Sequence, residues 1–146
     1  MKKLLFMAIM LFGISAFAQT DNLLKPYISV KDALISSDSK ATGTAAFALL
    51  EAVKSESEFA QKTELLKAVD KLSQAGDDLD RQRIIFNDVS VILWNWVKSS
   101  GKVNQPVYYQ YCPMKKAYWL SKEKDIKNPY YGASMLTCGK VVETKS

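Results

Sequence analysis

The chain contains 146 residues, with two cysteines, no histidine and a formal net charge of +5 at pH 7. The absence of histidine excludes Ser–His and Cys–His nucleophile activation, and the sequence has no phosphate-binding glycine loop, so we do not expect an enzyme. Lysines spread along the chain carry the positive charge and only two arginines occur, which gives no indication of nucleic-acid binding.

The first residues have the pattern of a secretory signal peptide. Two lysines precede an apolar run from Leu4 to Ile14, and the small-x-small motif that follows ends at Ala18. The run is shorter than the ~20 residues that a membrane-spanning helix needs, and no later segment is apolar for long enough. We therefore predict cleavage of residues 1–18, a periplasmic location and no membrane span after cleavage.

The mature chain, residues 19–146, has the length of a single domain. Apolar residues recur at helical spacing in four segments between about residues 22 and 100, which predicts four amphipathic helices. The four stripes consist of Tyr27, Val30 and Leu34; Ala46, Leu49, Leu50 and Val53; Phe59, Leu66, Val69 and Leu72; and Ile85, Val89, Ile92 and Trp96. Short polar turns join the segments, and the aspartates that follow Gly76 are placed to cap the fourth helix. The sequence predicts a mainly α fold, an antiparallel four-helix bundle.

The composition changes at about residue 105, where a module rich in aromatic, cysteine and methionine residues begins and continues to about residue 144. The segment 107–111 is rich in tyrosine and predicts a short strand, for which the segment 140–143 is a suitable partner. Turn-forming residues lie between the two segments. We therefore predict a small C-terminal β-hairpin and loop module, with Cys112 and Cys138 at neighbouring strand ends.

Four sulfur-containing residues of this module form two pairs, Cys112 with Met114 and Met135 with Cys138. Thiolate and thioether ligands suit Cu(I) and other soft cations, whereas zinc prefers cysteine, histidine and carboxylate. Lysines flank both cysteines in sequence; nearby cations lower the pKa of a thiol and would offset the charge of two thiolates. This pattern predicts a copper(I) site.

The same cysteines allow a second interpretation, because two cysteines in an exported protein commonly form a disulfide. A Cys112–Cys138 bridge would close a loop worth roughly 3–4 kcal/mol of stabilisation by loop-closure entropy. The methionines would then be ordinary packing residues. Both interpretations stay open at this point, and oxidation of a metal site to the disulfide would connect them.

Aromatic residues of the module suggest a third possibility. Tyr111, Trp119, Tyr130 and Tyr131 belong to a dense group of rings that is capable of forming a stacking surface for a glycan, a peptide or a protein partner. The module has few aliphatic residues, however, so its rings are also the candidates for its core. A disulfide-stapled interaction module is therefore the alternative to a metal-binding protein.

Four motifs follow one another in the C-terminal module: Tyr111-Cys112-Pro113-Met114, Ala117-Tyr118-Trp119-Leu120-Ser121, Ile126-Lys127-Asn128-Pro129-Tyr130-Tyr131-Gly132 and Met135-Leu136-Thr137-Cys138-Gly139. With the upstream segment 80–83, Phe86 and Ser90, they resemble a bacterial domain family of unassigned function. That family occurs as small exported proteins and as a C-terminal extension of periplasmic adaptors in copper and silver efflux systems. Its most specific motifs correspond to residues 111–139.

The resemblance implies roles for particular residues. Cys112, Met114, Met135 and Cys138 match the sulfur positions of the family, and Trp119, Asn128, Pro129 and Gly132 match its framework. Many relatives carry a longer polar, glycine-containing insert between the Cys-Pro-Met and Trp-Leu-Ser motifs, so the resemblance implies a ligand role for Met114 less directly than for the other three sulfur residues. The implied function is soft-metal handling or heavy-metal resistance, with Cu(I) or Ag(I) as the ion and a periplasmic efflux component as a partner.

Overall fold

The computed structural model describes residues 22–146, so the predicted signal peptide at residues 1–18 lies outside the described residues. The chain forms four α-helices followed by a small antiparallel sheet and is mainly helical. The helices are α1 (Leu24–Ile35), α2 (Ser39–Ser55), α3 (Lys62–Ser73) and α4 (Leu79–Ser99). The four predicted helical segments are thus confirmed.

Polar residues fix the starts of two helices. The carboxylate of Asp38 accepts a hydrogen bond from the Ala41 N–H, and that of Asp78 accepts one from the Arg81 N–H. Each of these bonds satisfies an N–H group that has no partner within the helix. The predicted capping of the fourth helix by the aspartate cluster is therefore confirmed for Asp78.

Each helix packs on the next one in sequence, and α4 packs also on the sheet. Side chains of the four helices supply most of the core, including Leu34, Leu49, Val69 and Leu93, which are fully buried. Three residues of the predicted stripes are only partly buried, namely Phe59, which precedes α3, Leu66 and Ile92. Among residues 22–146, no helix has both the length and the apolar character needed to cross a membrane.

The C-terminal module is a three-stranded sheet rather than a two-stranded hairpin. Its strands are β1 (Val107–Cys112), β2 (Ala117–Ser121) and β3 (Lys140–Lys145), in the antiparallel order β2-β1-β3. The predicted pairing of the first and last strands is confirmed, with Tyr111 opposite Lys140. The additional strand β2 pairs with β1 through a tight turn, Cys112 lying opposite Ala117.

The outer edge of β2 is covered by side chains from the rest of the molecule. The side chain of Asn87 in α4 accepts a hydrogen bond from the Tyr118 N–H at 2.9 Å, and the Tyr27 hydroxyl of α1 accepts one from the Leu120 N–H at 3.0 Å. The Tyr130 hydroxyl donates to the Tyr118 carbonyl. An edge strand otherwise exposes unpaired backbone groups, so these contacts join the helices and the sheet around one core.

Candidate thiol site

The structure brings the two cysteines together. Cys112 is the last residue of β1, and Cys138 lies two residues before β3, so the pairing of Tyr111 with Lys140 places the two cysteines side by side. Both are free thiols in hydrogen-bond contact; Cys112 is buried and Cys138 is partly exposed. The predicted juxtaposition at neighbouring strand ends is confirmed.

Asn128 holds the backbone around Cys138. Its buried side-chain amide donates to the Cys138 carbonyl at 2.6 Å, while its side-chain oxygen accepts from the Tyr130 N–H at 2.8 Å. Its own N–H donates to the Leu136 carbonyl at 2.7 Å. Because one residue makes all three bonds, the two ends of the loop from 128 to 138 have fixed relative positions.

Gly139 allows the chain to approach the sheet closely just after Cys138. Its φ of 152° lies in a region that residues with a Cβ rarely adopt. A Cβ atom at this position would lie 2.8 Å from the Trp119 ring and 3.0 Å from the Tyr111 carbonyl oxygen. Only a glycine therefore fits between the partly exposed thiol and the buried tryptophan.

The pKa of the Cys138 thiol is raised above its ordinary value of 9.0. The main cause is desolvation, and the neighbouring Cys112 adds to it because a thiolate there repels a second negative charge and the hydrogen bond favours the protonated thiol. The expectation that nearby lysines lower the pKa is wrong for Cys138. A soft cation between the sulfurs would remove the repulsion and displace the protons.

The two methionines are less enclosed than the cysteines. Met135 is 39% exposed and ends the short 3-10 turn Gly132–Met135, where its carbonyl accepts a hydrogen bond from the Cys138 N–H at 3.1 Å. Met114 is 65% exposed in the turn between β1 and β2. The thiol pair is thus assembled by the fold, with Met135 in the adjoining turn and Met114 at the tip of the hairpin.

In the described part of the chain, no three cysteine, aspartate or glutamate side chains converge on one point. The structure brings together one pair of thiols, with Met135 in the turn before Cys138 and Met114 in the hairpin turn after Cys112. Thiolate and thioether sulfurs are ligands that soft metal ions such as Cu(I) prefer.

Two of the four rings predicted for a partner surface do not lie on the surface. Trp119 is completely buried and Tyr130 is buried except for 3% of its area, because both pack in the shared core beneath the loop. Tyr111 and Tyr131 are partly exposed. The prediction that Trp119 and Tyr130 lie on a partner surface was therefore wrong. Because the module has few aliphatic residues, these rings form its core instead.

Sequence reasoning did not find the role of Tyr27 and Asn87, which organise β2 from the helices. Tyr27 was assigned to an apolar stripe, and its hydroxyl gave no local signal. The hydroxyl accepts a hydrogen bond from a residue more than 90 positions away in sequence, so local patterns could not indicate it.

Comparison with protein families identifies residues 23–105 as a match to the family described as a protein of unknown function (DUF3347). The match spans more than half of the chain, and the chain belongs to this family. It covers the four helices and stops before β1, so the thiol site lies outside the matched segment. Comparison with curated proteins and with solved structures gives no match.

Proposed function

We propose that this protein binds a soft monovalent metal ion through Cys112 and Cys138 and serves metal handling rather than catalysis. Cu(I) is the expected ion and Ag(I) its mimic. The observation that supports the proposal is the contact between two free thiols at the junction of β1 and β3. A family of unknown function gives this proposal neither support nor opposition.

The two sulfurs would act as thiolates and supply most of the affinity. One Cu(I) between two thiolates leaves a single net negative charge, which is less costly to bury than two. Met135 is the neutral donor whose backbone is held to the site, since its carbonyl accepts a hydrogen bond from the Cys138 N–H. Met114 would contribute as a second, more mobile donor because its side chain is mostly exposed.

The wider setting of this function is also a proposal. A signal peptide at residues 1–18 would direct the protein to the periplasm and would be removed during export. The four helices would form an antiparallel bundle that carries the metal-binding module. The resemblance of residues 111–139 to extensions of copper and silver efflux adaptors makes a periplasmic efflux component the expected partner. Co-purification of a transport component from periplasm tests this association, and its consistent absence would count against it.

A competition titration under anaerobic conditions tests metal binding directly. The reduced protein should remove one equivalent of Cu(I) from a chromophoric chelator, and the C112S/C138S variant should lose this ability. Met135→Leu should weaken binding more than Met114→Leu, because Met135 lies in the same turn as Cys138. Full retention of Cu(I) affinity in C112S/C138S would overturn the proposal.

The raised pKa of Cys138 gives the titration a pH signature. Cu(I) must displace the Cys138 proton, so the apparent affinity should rise with pH as long as this thiol is protonated. The displaced proton contributes about a tenfold increase per pH unit. An affinity independent of pH between about 6 and 8 would contradict thiol ligation.

A disulfide-stapled interaction module is the second candidate, and the same thiol contact favours it. In that case the protein isolated from periplasm should be two hydrogens lighter than the reduced chain and resist alkylation until it is reduced. Serine at both positions should then lower the free energy of unfolding by roughly 3 kcal/mol relative to the oxidised protein. The exposed parts of Tyr111 and Tyr131 would offer the contact surface.

A further inference from the structure

A second site of distinct chemistry lies between α4 and the turn that joins β1 to β2. A cleft of about 420 Å³ opens there, with Arg83, Ile84 and Asn87 on the helix side and Lys115 and Lys116 on the hairpin side. Tyr130 and Ala117 line the remainder, and Asp80 is the acidic residue on its rim. Three cations and one carboxylate thus face the same space.

Arg83 is fixed in place, and within residues 22–146 no carboxylate is in direct contact with it. Its Nε donates to the Pro129 carbonyl at 2.9 Å, and one terminal nitrogen donates to the Leu34 carbonyl and the Ser37 hydroxyl at 3.2 and 3.1 Å. All three acceptors are neutral oxygens. The guanidinium is therefore held rigidly while its positive charge is only partly compensated.

Desolvation by burial shifts the pKa of the Arg83 guanidinium more than the neighbouring charge does. Desolvation lowers the pKa of Arg83, and the more distant Asp80 opposes that shift. A partly desolvated cation of this kind is stabilised by any anion that enters beside it, because Coulomb attraction is stronger away from bulk water.

The opposite wall provides mobile cations. Lys115 and Lys116 are exposed residues of the hairpin turn, and the Lys115 ammonium lies 5.0 Å from the centre of the Tyr131 ring. The Lys115 side chain thus lines the cleft and is also within cation–π distance of a ring. The cleft thus combines one rigid guanidinium with two adjustable ammonium groups.

We propose that this cleft binds a ligand with two carboxylates, one on Arg83 and the other on Lys115 and Lys116. Ile84 and Ala117 provide apolar walls for the carbon chain between the carboxylates. The ligand is either a free dicarboxylate or the neighbouring acidic side chains of a peptide segment, and the chemistry of recognition is the same. The site does not use the thiols and is independent of the proposed metal binding.

Chemical-shift titration of the ¹⁵N-labelled protein in low-salt buffer tests the proposal with two probes, glutarate and an end-blocked triglutamate peptide. Saturable shifts centred on residues 80–87 and 115–117 support it. Saturation by glutarate identifies a small-molecule ligand, and saturation by the peptide alone identifies an acidic segment. Shifts that do not saturate with either probe overturn the proposal.

Matched variants distinguish specific binding in this cleft from nonspecific attraction of the anionic probes to surface lysines. K115Q/K116Q should weaken binding about tenfold, whereas K67Q/K71Q, which removes the same charge from the groove between α3 and α4, should change it less than about twofold. Equal weakening by both double variants overturns the proposal.

A third variant should strengthen binding. Asp80→Asn removes the carboxylate that competes for the cations and should raise the affinity about threefold, an effect that loss of structure cannot produce. C112S/C138S should bind glutarate as the unmodified protein does, so failure of the metal-binding proposal leaves this result unchanged. Weaker binding by the Asp80→Asn variant overturns the proposal.

Discussion

The helical part and the C-terminal module of this protein are stabilised in different ways. The helices bury aliphatic residues that recur at regular spacing, such as Leu49, Leu72 and Leu93. The module depends on polar bonds between residues far apart in sequence, such as that from the Leu120 N–H to the Tyr27 hydroxyl. Since several of these bonds come from the helices, the thiol pair still requires the helical part for its geometry, although both cysteines belong to the module.

Arg83 provides a second connection between the helices and the module, at the loop that leads to Cys138. It links α4 to the carbonyl of Pro129 and to the end of α1, and Gly132 fits closely beneath it. A Cβ at Gly132 would lie 2.7 Å from the Ile35 carbonyl oxygen. The loop that leads to Cys138 is therefore pressed against the helices rather than free on the surface.

The largest expected effect comes from adding one methyl group at a glycine, which should have opposite consequences in the C-terminal module and in the helical part. Gly139→Ala should destabilise the protein by about 3 kcal/mol, because the new Cβ meets the Trp119 ring and the backbone has a positive φ. Gly43→Ala, in helix α2, has open space around it and should stabilise by about 0.5–1 kcal/mol. Urea unfolding measures both. Equal effects of the two substitutions would show that the close approach at Gly139 is absent.

The next effect concerns the residue that orders the loop. Asn128→Ala removes the partners of the Tyr130 N–H and the Cys138 carbonyl and should cost about 2–3 kcal/mol of unfolding free energy. Cu(I) affinity should fall as well, since the position of Cys138 is no longer fixed. The exposed Asn104→Ala is the control and should leave both measurements within error. A stable Asn128→Ala variant would argue against this account of the site.

A smaller effect tests the connection between helix and sheet. Tyr27→Phe removes the hydroxyl that contacts Ser90 at 2.7 Å and accepts from the Leu120 N–H, and it should cost about 1–2 kcal/mol. Tyr108→Phe, on the partly exposed side of β1, should cost less than about 0.5 kcal/mol. Hydrogen exchange gives a second measurement, because the Leu120 amide should lose protection only in the Tyr27 variant.

The smallest expected effect concerns the ion pair between Glu56, which follows α2, and Lys102, which lies between α4 and β1. The pKa of Glu56 is lowered from 4.5, first by its hydrogen bond from Lys102, so this pair stabilises the fold at neutral pH and the contribution disappears as the pH falls through the lowered value. Glu56→Gln should cost about 0.5 kcal/mol at pH 7, since Lys102 is half exposed, and progressively less as the pH falls below 4.5 and through the lowered pKa. A cost that does not decrease with falling pH would contradict the ion pair as its cause.

The sequence predicted the helices well and the module in part. Helices depend on local spacing of apolar residues, so the stripe from Ile85 to Trp96 was sufficient to place α4. The strand Ala117–Ser121 was missed because its edge is completed by Asn87, Tyr27 and Tyr130, none of which lies near it in sequence. The burial of Trp119 follows from the same packing and could not be deduced from its neighbours.

The amino-acid sequence by itself determined the number and approximate limits of the helices, the pairing of the first and last strands and the placement of Cys112 and Cys138 at neighbouring strand ends. These features depend on periodicity and residue chemistry, which are local properties. Tertiary structure alone decided that Trp119 and Tyr130 are buried, that the pKa of Cys138 is raised, and that Arg83 faces Lys115 and Lys116 across a cleft. Those results depend on burial and on distances between residues separated by many positions, and a linear pattern does not contain them.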